Sequence, residues 1–269
     1  MRIILFLLLF IAPNFVFAST YQDADRAFKK GRVSAALEIW EKLAKEGDVL
    51  SQFSLGLTYL NMKSGSRKRN HAKAHQWLSR VADLGLSRAQ YNLAWMYSKG
   101  LHVRKNDAKA LKLYLLAAKQ GHIAAQDNVG TYYYTGRGTA KNYRKAFYWH
   151  KIAAKNGHAG GQNDLAIQYF FGHGVKRNYK KAFQWNLKSA RQGNHHGQKA
   201  LGIAYAMGFG TKANDLKSYM WVSVSVKNRN KKSSRNLLAT IQKQMSKSRV
   251  QKARAMATKC LKSNYTRCG

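Results

Sequence analysis

Residues 157–192 read GHAGGQNDLAIQYFFGHGVKRNYKKAFQWNLKSARQ, and this stretch contains two helical patterns. Leu165 and Tyr169 share one face of a first helix, because they are four residues apart. Ala182 and Trp185 begin an apolar stripe on a second helix, at a spacing of three. The stretch therefore predicts a pair of helices, each apolar on one side.

A glycine-rich turn, GHGVKRN, joins the two helices between Gly172 and Asn178. Glycines and positive charge before a helix are also features of phosphate-binding loops. Such a loop needs a preceding β-strand, however, and no strand pattern precedes this turn. We interpret Gly172 as the end of the first helix. Asn178 is interpreted as the N-cap of the second helix, since its side chain can accept a hydrogen bond from a free N–H of the first turn.

The same pattern recurs along the chain at intervals of 36 residues, apart from one interval of 38. The opening glycine recurs at Gly47, Gly85, Gly121, Gly157 and Gly193. Glutamine follows at Gln52, Gln90, Gln126, Gln162 and Gln198, and tyrosine at Tyr59, Tyr97, Tyr133, Tyr169 and Tyr205. Asparagine, the predicted helix cap, recurs at Asn70, Asn106, Asn142, Asn178 and Asn214. Because one hairpin cannot bury its apolar face alone, we expect the copies to stack.

The shared pattern G-x-x-x-A-Q…LG-x-x-Y-x-x-G-x-G-V…KA-x-x-W-x-x-x-AA-x-x-G resembles the Sel1-like repeat family, which is related to tetratricopeptide repeats. The resemblance covers five units, from Gly47 to Asn228, and implies an all-α fold, a right-handed superhelical α/α solenoid. We predict a signal peptide (1–18), an N-terminal hairpin (19–46), five repeats (47–84, 85–120, 121–156, 157–192 and 193–228), and C-terminal capping helices with a tail (229–269).

The first eighteen residues, MRIILFLLLFIAPNFVFA, have one early positive charge, an apolar run and a small residue at the end. These features are typical of a secretory signal peptide, and we expect cleavage after Ala18. No later segment is apolar enough to span a membrane. We therefore expect an exported protein, periplasmic or secreted, from a Gram-negative-type bacterium.

Positive charge dominates the composition, with 48 Lys and Arg residues against 11 Asp and Glu residues. Residues 19–48 are balanced, so the excess lies beyond them. Many cations flank the predicted caps, where they oppose the helix macrodipole, and folding alone is therefore not expected to select them. Either they form an anion-binding edge or they reflect a general basic bias of the source proteome. The candidate edge residues are Arg67, Lys68, Arg69, Arg104, Lys105, Lys141, Arg144, Lys145, Lys176, Arg177, Lys180 and Lys181.

No residue pattern indicates catalysis, a cofactor or a metal. The acids beyond residue 48 are scattered one per unit, and their spacing does not suggest convergence. His195 and His196 are the histidines best placed for a metal cluster across units, but structural histidines are the expectation. The two cysteines, Cys260 and Cys268, either form a disulfide or remain two free thiols.

The resemblance implies a non-enzymatic scaffold that binds a protein partner, since solenoids act through extended surfaces. The alternative is binding to anionic envelope or host polymers, such as lipopolysaccharide, through the basic edge. Hydrolysis of cell-wall material or β-lactams is a third alternative, but the relatives linked to β-lactams carry paired cysteines in every unit and this chain does not. Export argues against a nucleic acid partner.

Overall fold

The computed structural model describes residues 19–62 and 67–268, and for residues 67–69 it describes the backbone without the side chains. The predicted signal peptide lies outside this range. Within the described residues the chain forms fourteen α-helices and no β-strand. The chain divides after Val81 into two compact bodies.

The first body contains α1 (Tyr21–Lys29), α2 (Val33–Lys45), α3 (Val49–Asn61) and most of α4 (Arg67–Asp83), which continues into the second body. Helix α1 packs against α2, and α2 packs against α3. Their shared core includes Trp40, which is 2% exposed.

The second body is a series of antiparallel helix pairs followed by two closing helices. In each pair we call the first helix A and the second helix B. The A and B helices of the four pairs are α5 (Ser87–Lys99) and α6 (Asp107–Lys119), α7 (Ile123–Thr135) and α8 (Tyr143–Lys155), α9 (Ala159–Phe171) and α10 (Tyr179–Arg191), and α11 (His195–Met207) and α12 (Asp215–Asn228). The closing helices are α13 (Lys232–Lys243) and α14 (Lys247–Lys262).

The predicted helix ends are confirmed in the second body. Gly172 ends α9 in a left-handed conformation, with φ of 78°. The side chains of Asn106, Asn142, Asn178 and Asn214 each accept a hydrogen bond from a backbone N–H three residues later, at 2.8–2.9 Å. The prediction is wrong for Asn70, which lies inside α4 because that helix begins three residues earlier, at Arg67.

The recurring glutamine connects successive pairs through buried hydrogen bonds. Gln162 donates its Nε2 to the carbonyl oxygen of Ala154 at 3.2 Å. Its Oε1 accepts a hydrogen bond at 2.8 Å from Gln192, which ends the next B helix. Equivalent amide pairs join Gln120 to Gln90, Asn156 to Gln126, and Asn228 to Gln198. The glutamine–carbonyl bond of this ladder fixes the register of each pair on its neighbour, because a slipped unit would leave the buried Nε2 of its glutamine without the carbonyl of the preceding B helix.

In three of the turns, at Gly138, Gly174 and Gly210, the second glycine contacts the preceding pair. A Cβ atom at Gly174 would overlap the carbonyl group of Tyr143, the first residue of α8. Because Gly174 also has a φ of 75°, any other residue would be strained there as well as crowded. The glycine therefore serves the stacking of the pairs.

The closing helices cover the end of the series. Trp221 of α12 is 1% exposed and packs with Ala257 and Cys260 of α14. A disulfide joins Cys260 to Cys268 and holds the C-terminal tail on this cluster. Arg249 binds the carboxylate of Asp215 through two hydrogen bonds, which links α14 to the start of α12.

Candidate functional site

The predicted basic edge lies where the B helices begin. Its loop members are Arg104, Lys105, Lys141, Lys176 and Arg177, and its members in the first turns of α8 and α10 are Arg144, Lys145, Lys180 and Lys181. All nine side chains are exposed. The side chains of Arg67, Lys68 and Arg69 lie outside the described residues.

One lysine in each repeat has a structural role that we did not predict from the sequence. This lysine lies three residues after the recurring asparagine, and its ammonium group lies 4.3–5.6 Å from the ring centre of the recurring tyrosine. The pairs are Lys73 with Tyr59, Lys109 with Tyr97, Lys145 with Tyr133, Lys181 with Tyr169, and Lys217 with Tyr205. Such contacts contribute about 0.5–1 kcal/mol at exposed sites. The recurring lysine therefore makes a contact within the fold as well as carrying an exposed charge.

The other members of the edge differ in their surroundings. The ammonium of Lys105 lies 3.5 Å from a carboxylate oxygen of Asp107. Lys141 and Arg177 lie over neighbouring tyrosine rings, at 5.8 and 5.4 Å from the ring centres. Among the described residues no carboxylate pairs with the four remaining cations, which are Arg104, Arg144, Lys176 and Lys180. These four are the cations of the edge most available to an external anion.

An apolar pocket lies between α9, α10 and α11. Its volume is about 210 Å³, and its walls include Ile167, Phe170, Phe171, Ile203 and Phe209. The A helices supply most of this lining. Phe171 is 59% exposed, although it is a large apolar side chain. Met207, at the equivalent position one repeat later, is 67% exposed. The A-helix side of these repeats therefore presents apolar surface to the solvent.

A second, smaller cavity adjoins the apolar pocket through Ile167, which lines both. It has a volume of about 70 Å³ and is lined by polar side chains as well, including Tyr134, His150 and Asp164. His150 of α8 is 2% exposed and fits there because residue 130 of α7 is glycine, whose missing Cβ leaves room for the imidazole.

Asp127, His150 and Asp164 form a cluster across α7, α8 and α9. One side-chain ligand atom from each lies within 4.8 Å of the others. The Nε2 atom of His150 lies 3.8 Å from Oδ2 of Asp164. This arrangement corrects our expectation that the acids do not converge. We call these three residues the acid–histidine cluster.

The environment of the cluster shifts the pKa of Asp164 and of the neighbouring His158. Burial raises the pKa of Asp164, since a charged carboxylate loses hydration there; His150 opposes this shift and Asp127 adds to it, and the resulting pKa is about 6. His158, the N-cap of α9, lies beside the cluster, with its Nδ1 3.3 Å from Oδ2 of Asp127. The Asp127 carboxylate beside Nδ1 favours the charged imidazolium and therefore raises the pKa of His158.

The histidines that we considered from the sequence lie elsewhere. The rings of His195 and His196 lie with their centres 3.9 Å apart, at the start of α11. In the described part of the chain, the group of residues able to hold a metal is the acid–histidine cluster, and it includes neither of them. Burial lowers the pKa of both imidazoles, so they are neutral at physiological pH.

The sequence contained a signal for the cluster that we did not use. Asp127 and Asp164 are 37 residues apart, one more than the period, so they occupy neighbouring positions on successive A helices. His150 takes a place that Leu78, Tyr114 and Val222 fill in other repeats. Three residues that depart from the repeat thus meet at one junction.

The structure is that of a helical repeat protein of the α/α solenoid class. Its antiparallel helix pairs stack, buried amides link them, and the A helices present an exposed surface. The Sel1 repeat family model matches residues 49–86, 87–122, 123–158, 159–194 and 195–223. The chain therefore belongs to the Sel1 repeat family, whose members are generally protein–protein interaction scaffolds.

Two crystal structures resemble the chain along most of its length. One is c5321, described as a protective antigen present in uropathogenic Escherichia coli strains with an SLR fold, at 26% identity and a TM-score of 0.84. That match covers 92% of this chain but 54% of c5321, so the chain spans about half the length of that relative. The other is a Sel1 repeat protein from Oxalobacter formigenes, at 28% identity, a TM-score of 0.74, and coverage of 82% of this chain and 87% of that one. No curated protein matches the chain.

Proposed function

We propose that this protein is a non-enzymatic interaction scaffold, exported to the bacterial envelope or secreted, and that its partner is a protein that docks on the A-helix side. The apolar pocket between α9, α10 and α11 carries this proposal, because an open cavity with aromatic walls can receive an apolar side chain of a partner. The signal-like first eighteen residues support export. The description of c5321 as an antigen is in keeping with a location outside the cytoplasm. Among the described residues, none of the helices has the length and apolar character needed to cross a bilayer.

A crosslinked pull-down with matched variants tests this proposal. Phe171→Asp and Met207→Asp place a charge at the pocket side without removing a buried side chain, since both residues are more than half exposed. Tyr148→Asp is the control, because Tyr148 is 58% exposed on the B helix α8 and does not line the pocket. We expect a specific protein that the first two variants lose and the control retains, at moderate salt. Equal capture by all three variants would refute docking at this pocket.

A second candidate function is binding to anionic polymers of the envelope or host. The observation that favours it is the set of exposed cations at the starts of α6, α8 and α10 that no carboxylate neutralises in the described structure. Binding of this kind releases counterions and therefore weakens steeply as salt rises.

Heparin chromatography of the double variant Lys176→Glu/Lys180→Glu tests whether anions bind at the basic edge or to the positive charge of the whole protein. The control is Lys112→Glu/Lys119→Glu, which changes the charge equally at exposed positions of α6 outside the edge. If anions bind at the edge, the salt concentration that elutes the protein should fall more for Lys176→Glu/Lys180→Glu than for the control. Elution of the unmodified protein below about 0.15 M salt, or equal drops for both variants, would reject the anion-binding edge.

A further inference from the structure

The acid–histidine cluster has features that the repeat fold does not require. In the repeat that follows, the position of His150 is taken by Asn186, which bonds Asn163 at 2.9 Å as a neutral amide pair. At the junction of α7, α8 and α9, two carboxylates and an imidazole replace such neutral groups. Two carboxylates held close together repel each other unless a proton or a cation lies between them.

The two aspartates receive no compensation from the abundant basic side chains. Elsewhere in the described structure Asp107 pairs with Arg137, and Asp215 pairs with Arg249. Asp127 and Asp164, in contrast, have histidine as their only ion-pair partner in that part of the chain. In a chain with 48 lysines and arginines, this local absence of basic partners leaves a negative site within a positive protein.

Asp127 has a carboxylate oxygen without a donor. Its Oδ1 is buried and has no hydrogen-bond partner. Its Oδ2 lies 3.3 Å from Nδ1 of His158, but that nitrogen accepts the backbone N–H of Gly161 at 3.1 Å as the cap of α9. Buried charged groups in proteins are paired or coordinate metals, so the unpaired Oδ1 of Asp127 is suited to act as a ligand for a cation.

His150 is oriented as a metal ligand would be. The amide of Gln168 donates from Nε2 to the carbonyl of Tyr143, which turns its Oε1 toward His150. This oxygen accepts from Nδ1 of His150 at 2.9 Å, so the proton of the neutral ring is at Nδ1 and Nε2 keeps its lone pair. Nε2 lies 3.8 Å from Oδ2 of Asp164 and 3.5 Å from the hydroxyl oxygen of Thr131. In metal sites, a hydrogen bond from the second ring nitrogen commonly fixes the imidazole in this way.

We propose that Asp127, His150 and Asp164 form a binding site for a divalent transition metal of the zinc class. One nitrogen and two carboxylate oxygens suit such an ion. Ligand atoms on a tetrahedral zinc lie about 3.4 Å apart, because each bond is about 2.0–2.2 Å. The three ligand atoms lie within 4.8 Å of one another here, so binding requires the aspartate side chains to move toward His150 by about 1 Å. The adjoining cavity of about 70 Å³ leaves room for water or an external group as a further ligand.

The test is metal binding by the purified, untagged chain after treatment with a chelator. Zn²⁺ and Co²⁺ are added separately, bound metal is counted by mass spectrometry after dialysis, and the visible absorption of Co²⁺ reports the coordination geometry. We expect one ion per chain. Asp127→Asn and Asp164→Asn should each weaken binding at least about tenfold, because even outer partners of a metal site commonly contribute that much. Both variants keep the side-chain shape, so they avoid the cavity that truncating His150 would create, and circular dichroism verifies their fold.

The control variant is His195→Gln/His196→Gln, which removes the adjacent histidine pair and leaves the acid–histidine cluster intact. It should bind one ion as the unmodified chain does. Substoichiometric binding by the unmodified chain, binding that survives both aspartate variants, or binding lost in the control would each overturn the proposal.

Discussion

Replacing Gln162 with leucine tests whether the amide ladder stabilises the stacked repeats. Gln162 makes two hydrogen bonds, to the carbonyl of Ala154 at 3.2 Å and from Gln192 at 2.8 Å. Each is worth about 1 kcal/mol net, so their loss costs about 2 kcal/mol. The cost does not reach the higher values seen for isolated buried groups, because the Ala154 carbonyl still accepts from the N–H of Gly157 at 3.2 Å. Leucine also adds apolar burial, which lowers the expected loss to about 1–2 kcal/mol.

Equilibrium unfolding in urea measures this loss, with circular dichroism and tryptophan fluorescence recorded on the same samples. Coincident curves from the two probes justify a two-state analysis, which a repeat protein does not guarantee. The control is Gln184→Leu on the exposed face of α10, which we expect to change the free energy of unfolding by less than about 0.5 kcal/mol. If Gln162→Leu unfolds at the same urea concentration as this control, the ladder does not stabilise the stacking.

Three further changes test other contacts. Gly174→Ala should destabilise the fold by more than about 2 kcal/mol in urea unfolding, since the added Cβ overlaps Tyr143 and the backbone is also strained. The control is Gly157→Ala, where φ is 86° but the space around the Cβ is open. This variant should lose about 1–2 kcal/mol from backbone strain alone. An equal loss for both would exclude the overlap. Reduction of the C-terminal disulfide should destabilise the fold by about 2–3 kcal/mol, as expected for the short loop it closes. Thermal unfolding with and without a reductant measures this loss. An unchanged unfolding temperature would show that the disulfide does not stabilise the fold. Hydrogen bonding from Arg249 lowers the pKa of Asp215 in the folded protein. The ion pair therefore stabilises the fold fully at pH values above the unfolded pKa of about 3.9. This stabilisation is lost as the pH falls through the lower pKa of the folded state. Asp215→Asn should therefore reduce the unfolding temperature at pH 7 but not near pH 2, and an equal reduction at both values would contradict this role.

The period predicted the local structure well because local structure depends on residues close in sequence. A helix cap needs only an asparagine and the backbone N–H three residues later, and Asn178 forms that bond at 2.8 Å. Gly172 likewise ends α9, since a left-handed residue is needed at that point. The first repeat differs at Asn70, where a longer inter-helix segment lets α4 begin earlier than the pattern predicts.

Contacts between repeats were harder to predict because they join residues about one period apart. The recurring glutamine was visible in the sequence, but its partners were not, since Gln162 bonds the carbonyl of Ala154 in the preceding repeat and the amide of Gln192 at the end of its own repeat. The acid–histidine cluster depends on the angle between successive A helices and on Gly130, whose missing side chain makes space for His150. Sequence spacing places Asp127 and Asp164 at neighbouring positions but does not give their separation.

The cation–π contacts change how an anion-binding edge has to be tested. Lys181 lies over Tyr169, so Lys181→Glu would remove a contact within the repeat together with a charge, and weaker polymer binding could then result from a perturbed fold. Lys180 is its neighbour on the first turn of α10 and is also exposed, but it does not lie over an aromatic ring in the described structure. Lys180→Glu therefore isolates the charge, while Lys181→Gln isolates the tyrosine contact at a smaller charge change. If polymer binding follows Lys180→Glu and stability follows Lys181→Gln, the two lysines have separate roles. If instead Lys181→Gln leaves the free energy of unfolding unchanged, the recurring lysine is not selected by the fold. Anion binding would then be the better explanation for all the cations of the edge.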